Sequence, residues 1–257
     1  MNRLFIFCAA TGLAVLASCA PEQVNEPGPI ASELTPAPAG QDPAEEEEPS
    51  TTAPDTVRYL ALGDSYTIGE SVPSAGDWPN QLVDSLAARL PDTHFDPAHI
   101  IATTGWTTSN LSQAMDAQQI DTAQFDLVSL LIGVNNQYQG LSLEQYEVEF
   151  SALLERAVDL AGGQSDRVFV VSIPDYGYTP FGQNNQVAIS QDLANFNAAC
   201  TALTLSAGIA HYNITPISQQ WPGASDWVAP DGLHPSAAQY AAWVGAFAAP
   251  VEQQLLD

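Results

Sequence analysis

From Val57 onward, short apolar runs alternate with stretches in which apolar residues recur every three or four positions, and this alternation constrains the architecture more than any other feature of the chain. The runs are Val57–Leu62, His99–Ala102, Leu127–Ile132, Val168–Ile173 and Ile209–Ile214. Each is too short for a helix and reads as a strand buried on both faces. Between them, Leu82, Leu86 and Leu90 repeat along one helix face until Pro91 stops the pattern. Ser109 suits the N-cap of a helix through Leu111 and Met115, and Ser142 with Gln145 reads as a capping box ahead of Tyr146, Phe150, Leu153 and Leu154. Ile189, Leu193, Phe196, Cys200 and Leu203 share the next helix face, which makes Cys200 a buried core thiol. Pro235 suits the first position of a last helix through Tyr240, Val244 and Phe247. Five strands alternating with helices predict a five-stranded parallel sheet covered on both faces, a three-layer α/β/α sandwich. No internal repeat interrupts the pattern.

In such sheets ligands bind beyond the carboxyl ends of the strands. All five ends here are polar, glycine-rich or aromatic: "GDSY", "TTGWTTSN", "IGVNNQYQG", "SIPDYGYTPFG" and "WPGASDWVAPDGLHPS". Gly-Asp-Ser alone is ordinary turn chemistry. On this rim Ser65 becomes a candidate nucleophile, which needs a base to take its proton and a partner to orient that base. Of the four histidines, His94 and His99 flank a short segment leading into the second strand and His211 lies inside the fifth. His234 stands three residues after Asp231, a spacing that lets one turn present both side chains to one site. The developing oxyanion needs donors, and the backbone N–H groups of Ser65 and Gly105 and the side-chain amide of Asn135 are the candidates. Asp64 reads as a turn or cap residue rather than a second acid.

Taken together, "GDSYTIG", "TTGWTT", "GVNN" and "DGLHP", in that order from Val57 to the C-terminus, resemble the four blocks of the SGNH/GDSL hydrolases. The resemblance implies a flavodoxin-like fold and a serine-dependent carboxylic ester hydrolase, an esterase or lipase. By the same resemblance Ser65 is the nucleophile, His234 the general base and then acid, Asp231 its orienter, and Ser65, Gly105 and Asn135 the oxyanion hole. Two positions depart from the pattern: Asn136 stands where the family usually has aspartate, and Tyr66 where its name has leucine. No Gly-x-Ser-x-Gly elbow occurs, which counts against an ordinary α/β-hydrolase. A cell-envelope O-acyltransferase and a non-catalytic binding lipoprotein are the alternatives on the same fold.

Aromatic residues crowd the same loops: Trp78, Trp106, Tyr138, Tyr176, Tyr178, Phe181, Trp221 and Trp227 lie on or near them. Trp106, Tyr138 and Tyr178 are the expected substrate contacts, toward a small-molecule, lipid or acylated-sugar ester, and the remainder include packing residues. No cofactor is expected, and no metal, since there is no His-x-x-x-His helix and no cysteine pair.

Charge and the N-terminus bear on location. The chain carries 30 acidic residues and five basic ones, all arginine. That balance excludes the positive footprint nucleic-acid binding requires. Residues 57–257 retain 21 acidic and four basic side chains, a balance suited to a saline habitat where repulsion is screened. Arg3 and the apolar Leu4–Leu16 segment form a secretory signal, and Leu16-Ala17-Ser18-Cys19 resembles a bacterial lipobox with Cys19 as the lipidated residue. Residues 1–18 are therefore expected to be a lipoprotein signal peptide. Residues 19–56, with eight prolines and the acidic block Glu45–Glu48, are the expected disordered tether to a domain at 57–257. The expected address is the cell envelope, lipid-anchored at the outer membrane or cell surface and otherwise secreted, with the protein a monomer.

Overall fold

The computed structural model describes residues 55–257. The expected signal peptide, Cys19 and all but the end of the tether lie outside the described residues.

Among the described residues seven strands form, β1 (Thr56–Val57), β2 (Tyr59–Gly63), β3 (His94–Phe95), β4 (His99–Ala102), β5 (Leu127–Leu131), β6 (Val168–Val171) and β7 (Ala210–Tyr212). Five of them make one parallel sheet in the order β4-β2-β5-β6-β7. The first expected strand starts later than its apolar run. Arg58 N donates to Asp126 Oδ2 at 2.8 Å and Asp126 N to Arg58 O at 2.9 Å, which holds the chain at the sheet margin. Val57 pairs instead with Phe95 in a separate two-stranded ladder, β1 with β3. At the other ends Ile132, Ile173 and Ile214 stay buried but leave the ladder. Ile173 N donates to Asn197 Oδ1 and Ile214 N to Ser172 Oγ, so side chains satisfy backbone groups that no strand reaches.

The eight α-helices among the described residues are α1 (Ser65–Ile68), α2 (Trp78–Arg89), α3 (Thr108–Gln118), α4 (Val134–Tyr138), α5 (Leu143–Leu160), α6 (Gln186–Ser206), α7 (Thr215–Ser218) and α8 (Ala237–Leu256). They pack in two groups, α2 with α8, and α5 with α3 and α6. In the first layer Trp78 and Phe247 close on Phe169 of β6, with ring centroids 6.3 and 5.8 Å away. In the second, Tyr146 packs on Phe196 at 5.0 Å and Phe150 at 5.2 Å. Cys200 is buried there, and burial pushes its thiol up to about 12, which leaves it inert. The sandwich expected from the alternation is therefore present.

Three caps differ from expectation. Thr107, not Ser109, caps α3 in a true capping box with Asn110. Ser142 caps α5, but Gln145 turns its side chain to Glu149 Oε1 at 2.8 Å instead of completing a box. The last helix begins after Ser236, which accepts from Gln239 N, so Pro235 lies before the cap.

Strand β2 has β4 on one side and β5 on the other, and the connections leave it in opposite directions. The sheet order therefore reverses beside Gly63 and Leu131, and a crevice opens at such a switch point.

Candidate active site

Ser65 stands where β2 gives way to α1. Gly63 permits the tight turn, because a Cβ there would lie 2.1 Å from Thr67 Oγ1 and 2.5 Å from Leu131 O. Asp64 caps the turn as the sequence suggests, Oδ1 accepting from Tyr66 N at 3.0 Å. Gly69, left-handed at φ 73°, closes it. Ser65 is left 5 % exposed, facing a cavity. Asp64 is fully buried, and its Oδ2 has no partner among the described residues. Burial pushes this carboxyl up to about 7 against the opposing pull of its backbone donors.

Asp231 and His234 share a turn between α7 and α8. Gly232 at φ 76° reverses the chain, and an Ala229 N to His234 O bond of 2.8 Å ties its ends. Asp231 Oδ1 accepts the backbone N–H groups of Leu233 at 2.9 Å and His234 at 3.0 Å. Asp231 Oδ2 accepts His234 Nδ1–H at 2.6 Å and the Ser71 hydroxyl at 2.6 Å. Burial acts to raise the Asp231 carboxyl, but these four donors outweigh it and hold the group well below the carboxylate range. With Nδ1 committed, His234 turns its other nitrogen to the cavity that Ser65 lines, and Tyr66 packs edge-on against the ring at 5.8 Å. Among the described residues no hydrogen bond joins Ser65 Oγ to His234; contacts of this kind commonly tighten only when substrate binds.

Gly105 sits at the third position of the Thr103–Trp106 turn with φ 84°. A Cβ there would meet nothing within 4 Å, so backbone conformation and not space calls for glycine. Asn135 lies in the first turn of α4, where its Nδ2 donates to Trp106 O at 2.9 Å and keeps a second amide hydrogen free. Its neighbour Asn136 is fully buried. Asn136 Oδ1 accepts from Thr108 N at 3.1 Å, Asn136 Nδ2 donates to Thr108 Oγ1 at 2.7 Å, and that hydroxyl donates onward to Glu149. Asn136 thus fastens α4 to the start of α3, on either side of the Gly105–Asn135 pair.

Ser65, Gly105, Asn135 and His234 line one cavity of about 230 Å³. Its apolar wall is Val134, Tyr138, Tyr176, Phe181 and Leu233, and among the described residues no arginine or carboxylate lines it. Of the three expected substrate contacts, Tyr138 is in this wall. Trp106 is half-buried against the core and contributes its carbonyl to Asn135, and neither it nor Tyr178 lines the cavity. Tyr176 and Phe181 take their place, within 6.2–6.3 Å of one another and of Tyr138. The crowding of aromatics in "PDYGYTPFG" signals a wall without saying which ring faces in. Trp78 is core, and Trp227 anchors its loop by donating Nε1–H to Ile217 O at 2.8 Å. Ser71, whose donation to Asp231 carried no sequence signal, also belongs to this set. No cluster of three or more metal-ligating side chains occurs among the described residues.

Known proteins match the chain at two levels. In overall structure the chain is similar to TesA, with 16 % identity over 78 % of this chain and 99 % of that one, TM-score 0.59. It is similar to Axe2, an acetylxylan esterase from Geobacillus stearothermophilus, with 17 % identity over 79 % and 96 %, TM-score 0.62. It is also similar to the psychrotrophic esterase EstA from Pseudoalteromonas sp., with 16 % identity over 76 % and 94 %, TM-score 0.56. At such identities the likeness speaks for the fold. No curated protein matches the chain in sequence. A family model, however, matches residues 61–242, from within β2 to within α8, and by that match the chain belongs to the GDSL-like lipase/acylhydrolase family.

Proposed function

We propose that the protein hydrolyses carboxylic esters through an acyl-enzyme on Ser65. The observation that carries this reading is the convergence on one cavity of a serine hydroxyl, an imidazole already oriented by a carboxylate, and the donors of Gly105 and Asn135. Ser65 Oγ attacks the ester carbonyl carbon as His234 takes the hydroxyl proton through Nε2. The carbonyl oxygen becomes the oxyanion, which the N–H groups of Ser65 and Gly105 and the Asn135 amide stabilise. Collapse breaks the bond to the alcohol, which leaves with the proton from His234. Water then attacks the acyl-enzyme with His234 again as base, and Ser65 is regenerated. Asp231 holds the imidazole and stabilises the imidazolium without itself gaining a proton.

The uncharged, aromatic wall supports a neutral ester as substrate. An anionic ester would meet a domain with 21 acidic and four basic residues and no cation in the cavity. The limited volume supports short acyl groups over palmitoyl. We place the work outside the cytoplasm, with Cys19 as the lipid anchor.

The test is hydrolysis of p-nitrophenyl esters from acetate to palmitate by residues 20–257, in low and molar salt, beside Ser65→Ala. Expected is activity on the shorter esters that disappears in the variant. Folded wild type that turns over none of them, or activity unchanged in Ser65→Ala, overturns the reading.

A further inference from the structure

Asp231 is held from two quarters. Its Oδ1 is tied to its own turn through Leu233 N and His234 N, and within that turn Oδ2 meets only the His234 ring that it has to orient. The second hold comes from 160 positions earlier in the chain, where Ser71 Oγ donates to Oδ2 at 2.6 Å, the oxygen that also receives His234 Nδ1–H. A carboxylate gripped at both oxygens has one orientation, and His234 takes its orientation from it.

The backbone at Ser71 points the same way. Ser71 is left-handed at φ 67°, one of two non-glycine residues with positive φ among the described residues. An L side chain there costs about 1 kcal/mol that glycine would avoid. Such strain persists where surrounding structure enforces it and gathers at functional sites. Here the segment is enforced on both sides. Glu70 N donates to Ser65 O at 3.0 Å and Val72 N to Gly69 O at 3.1 Å. The Glu70 carboxylate accepts the hydroxyl of Thr104, which lines the cavity next to Gly105. The segment that follows the nucleophile thus reaches both the oxyanion loop and the acid.

We propose that Ser71 is a positioning residue, its hydroxyl fixing the Asp231 carboxylate so that His234 presents Nε2 to Ser65. The proposal rests on the reading of Ser65, His234 and Asp231 as the hydrolytic set. Ser71 touches neither the substrate nor a reacting atom. Its hydroxyl makes a direct hydrogen bond between the loop that carries the nucleophile and the turn that carries the base. Ser71 is otherwise exposed, so water competes for Asp231 and the effect is moderate.

Three variants, Ser71→Gly, Ser71→Ala and Ser71→Thr, separate positioning from plain structure. Glycine removes the hydroxyl but relieves the left-handed strain, and the two effects are of similar size, so Ser71→Gly should melt close to wild type. Its kcat should nevertheless fall roughly tenfold with KM nearly unchanged, and Ser71→Ala should lose the same kcat. Threonine keeps the hydroxyl but adds β-branching to a left-handed residue. Ser71→Thr should therefore melt lowest while retaining the kcat closest to wild type. A structural role alone would make activity follow stability; positioning makes the two orders cross. A second readout needs no turnover. The low-field proton NMR resonance of the His234 imidazole N–H, assigned by its absence in His234→Ala, should shift or broaden in Ser71→Gly and stay in place in Ser71→Thr. Wild-type kcat together with an unmoved resonance in Ser71→Gly overturns the proposal. If wild type hydrolyses no ester, the proposed function fails by itself, and the resonance still decides whether Ser71 positions the pair.

Discussion

Asp64 offers the sharpest test of how the turn that carries Ser65 is built, through Asp64→Asn measured as a function of pH. The carboxyl is fully buried, Oδ2 has no partner among the described residues, and no cation is among the influences on it. An isolated buried carboxylate is costly, so the group stays neutral up to about pH 7. The folded value lies above the unfolded one near 3.8. The stability that follows is fully present below 3.8 and is lost as pH rises through about 7, because the unfolded chain releases the proton first. The gap of about three units corresponds to on the order of 4 kcal/mol. More than half of this is lost between pH 5 and 8, and the rest below pH 5. Asparagine keeps an oxygen for Tyr66 N and has no proton to lose. Urea unfolding of both proteins at pH 5, 6, 7 and 8 should show Asp64→Asn gaining on wild type by roughly 2–3 kcal/mol across that range. In thermal melts the gain is roughly 5–10 °C. Asp231, whose pKa is depressed, contributes stability that is lost only as pH falls through its folded value, below this window, and it is common to both proteins. A difference that stays constant from pH 5 to 8 would mean that Asp64 is ionised throughout, and the burial argument would be refuted.

Two further outcomes concern the oxyanion side. Asn135→Ala removes one of the three proposed oxyanion donors and should lower kcat about 10²–10³-fold while the protein stays folded, measured on whichever p-nitrophenyl ester is turned over best. Asn136→Ala leaves the Thr108 N–H buried without an acceptor and should cost about 1–3 kcal/mol in urea unfolding, with a loss of kcat through displacement of α4.

The architecture was legible because strands buried on both faces must be apolar throughout and helices covering them must carry one apolar face. Such periodicities survive without knowledge of any partner. What the alternation could not show was where ladders end. Val57 and Ile132 are as apolar as the residues inside the ladders, yet Arg58 with Asp126 delays the start of one and the turn to α4 ends another. Ser65, Gly105, Asn135, Asp231 and His234 could be nominated because they follow strands on the same rim, so that topology alone brings them near one another. Which rings face the cavity could not be nominated. Trp106 and Tyr178 differ from Tyr138 and Phe181 only in the direction of the side chain, which packing decides. Ser71 was invisible for another reason: one serine in a loop means nothing until its distant acceptor is known.

Asn136 shows how a departure from a family pattern can be a matter of who supplies the proton. With aspartate at this position, Thr108 would give its hydroxyl proton to that carboxylate. In this chain the Thr108 proton goes to Glu149 on α5, 41 positions away, and the hydroxyl then needs a donor, which the asparagine amide provides. Asn136 and Glu149 therefore make sense only together. Asn136→Asp alone would set two carboxylates on one hydroxyl with a single proton between them, which is destabilising in a buried site. Its cost should match or exceed that of Asn136→Ala in the same urea experiment. Pairing it with Glu149→Gln frees the Thr108 proton for the introduced carboxylate and should restore most of the loss. Independent, additive costs for the two substitutions would show instead that the chain of bonds from Asn136 through Thr108 to Glu149 does not act as a unit.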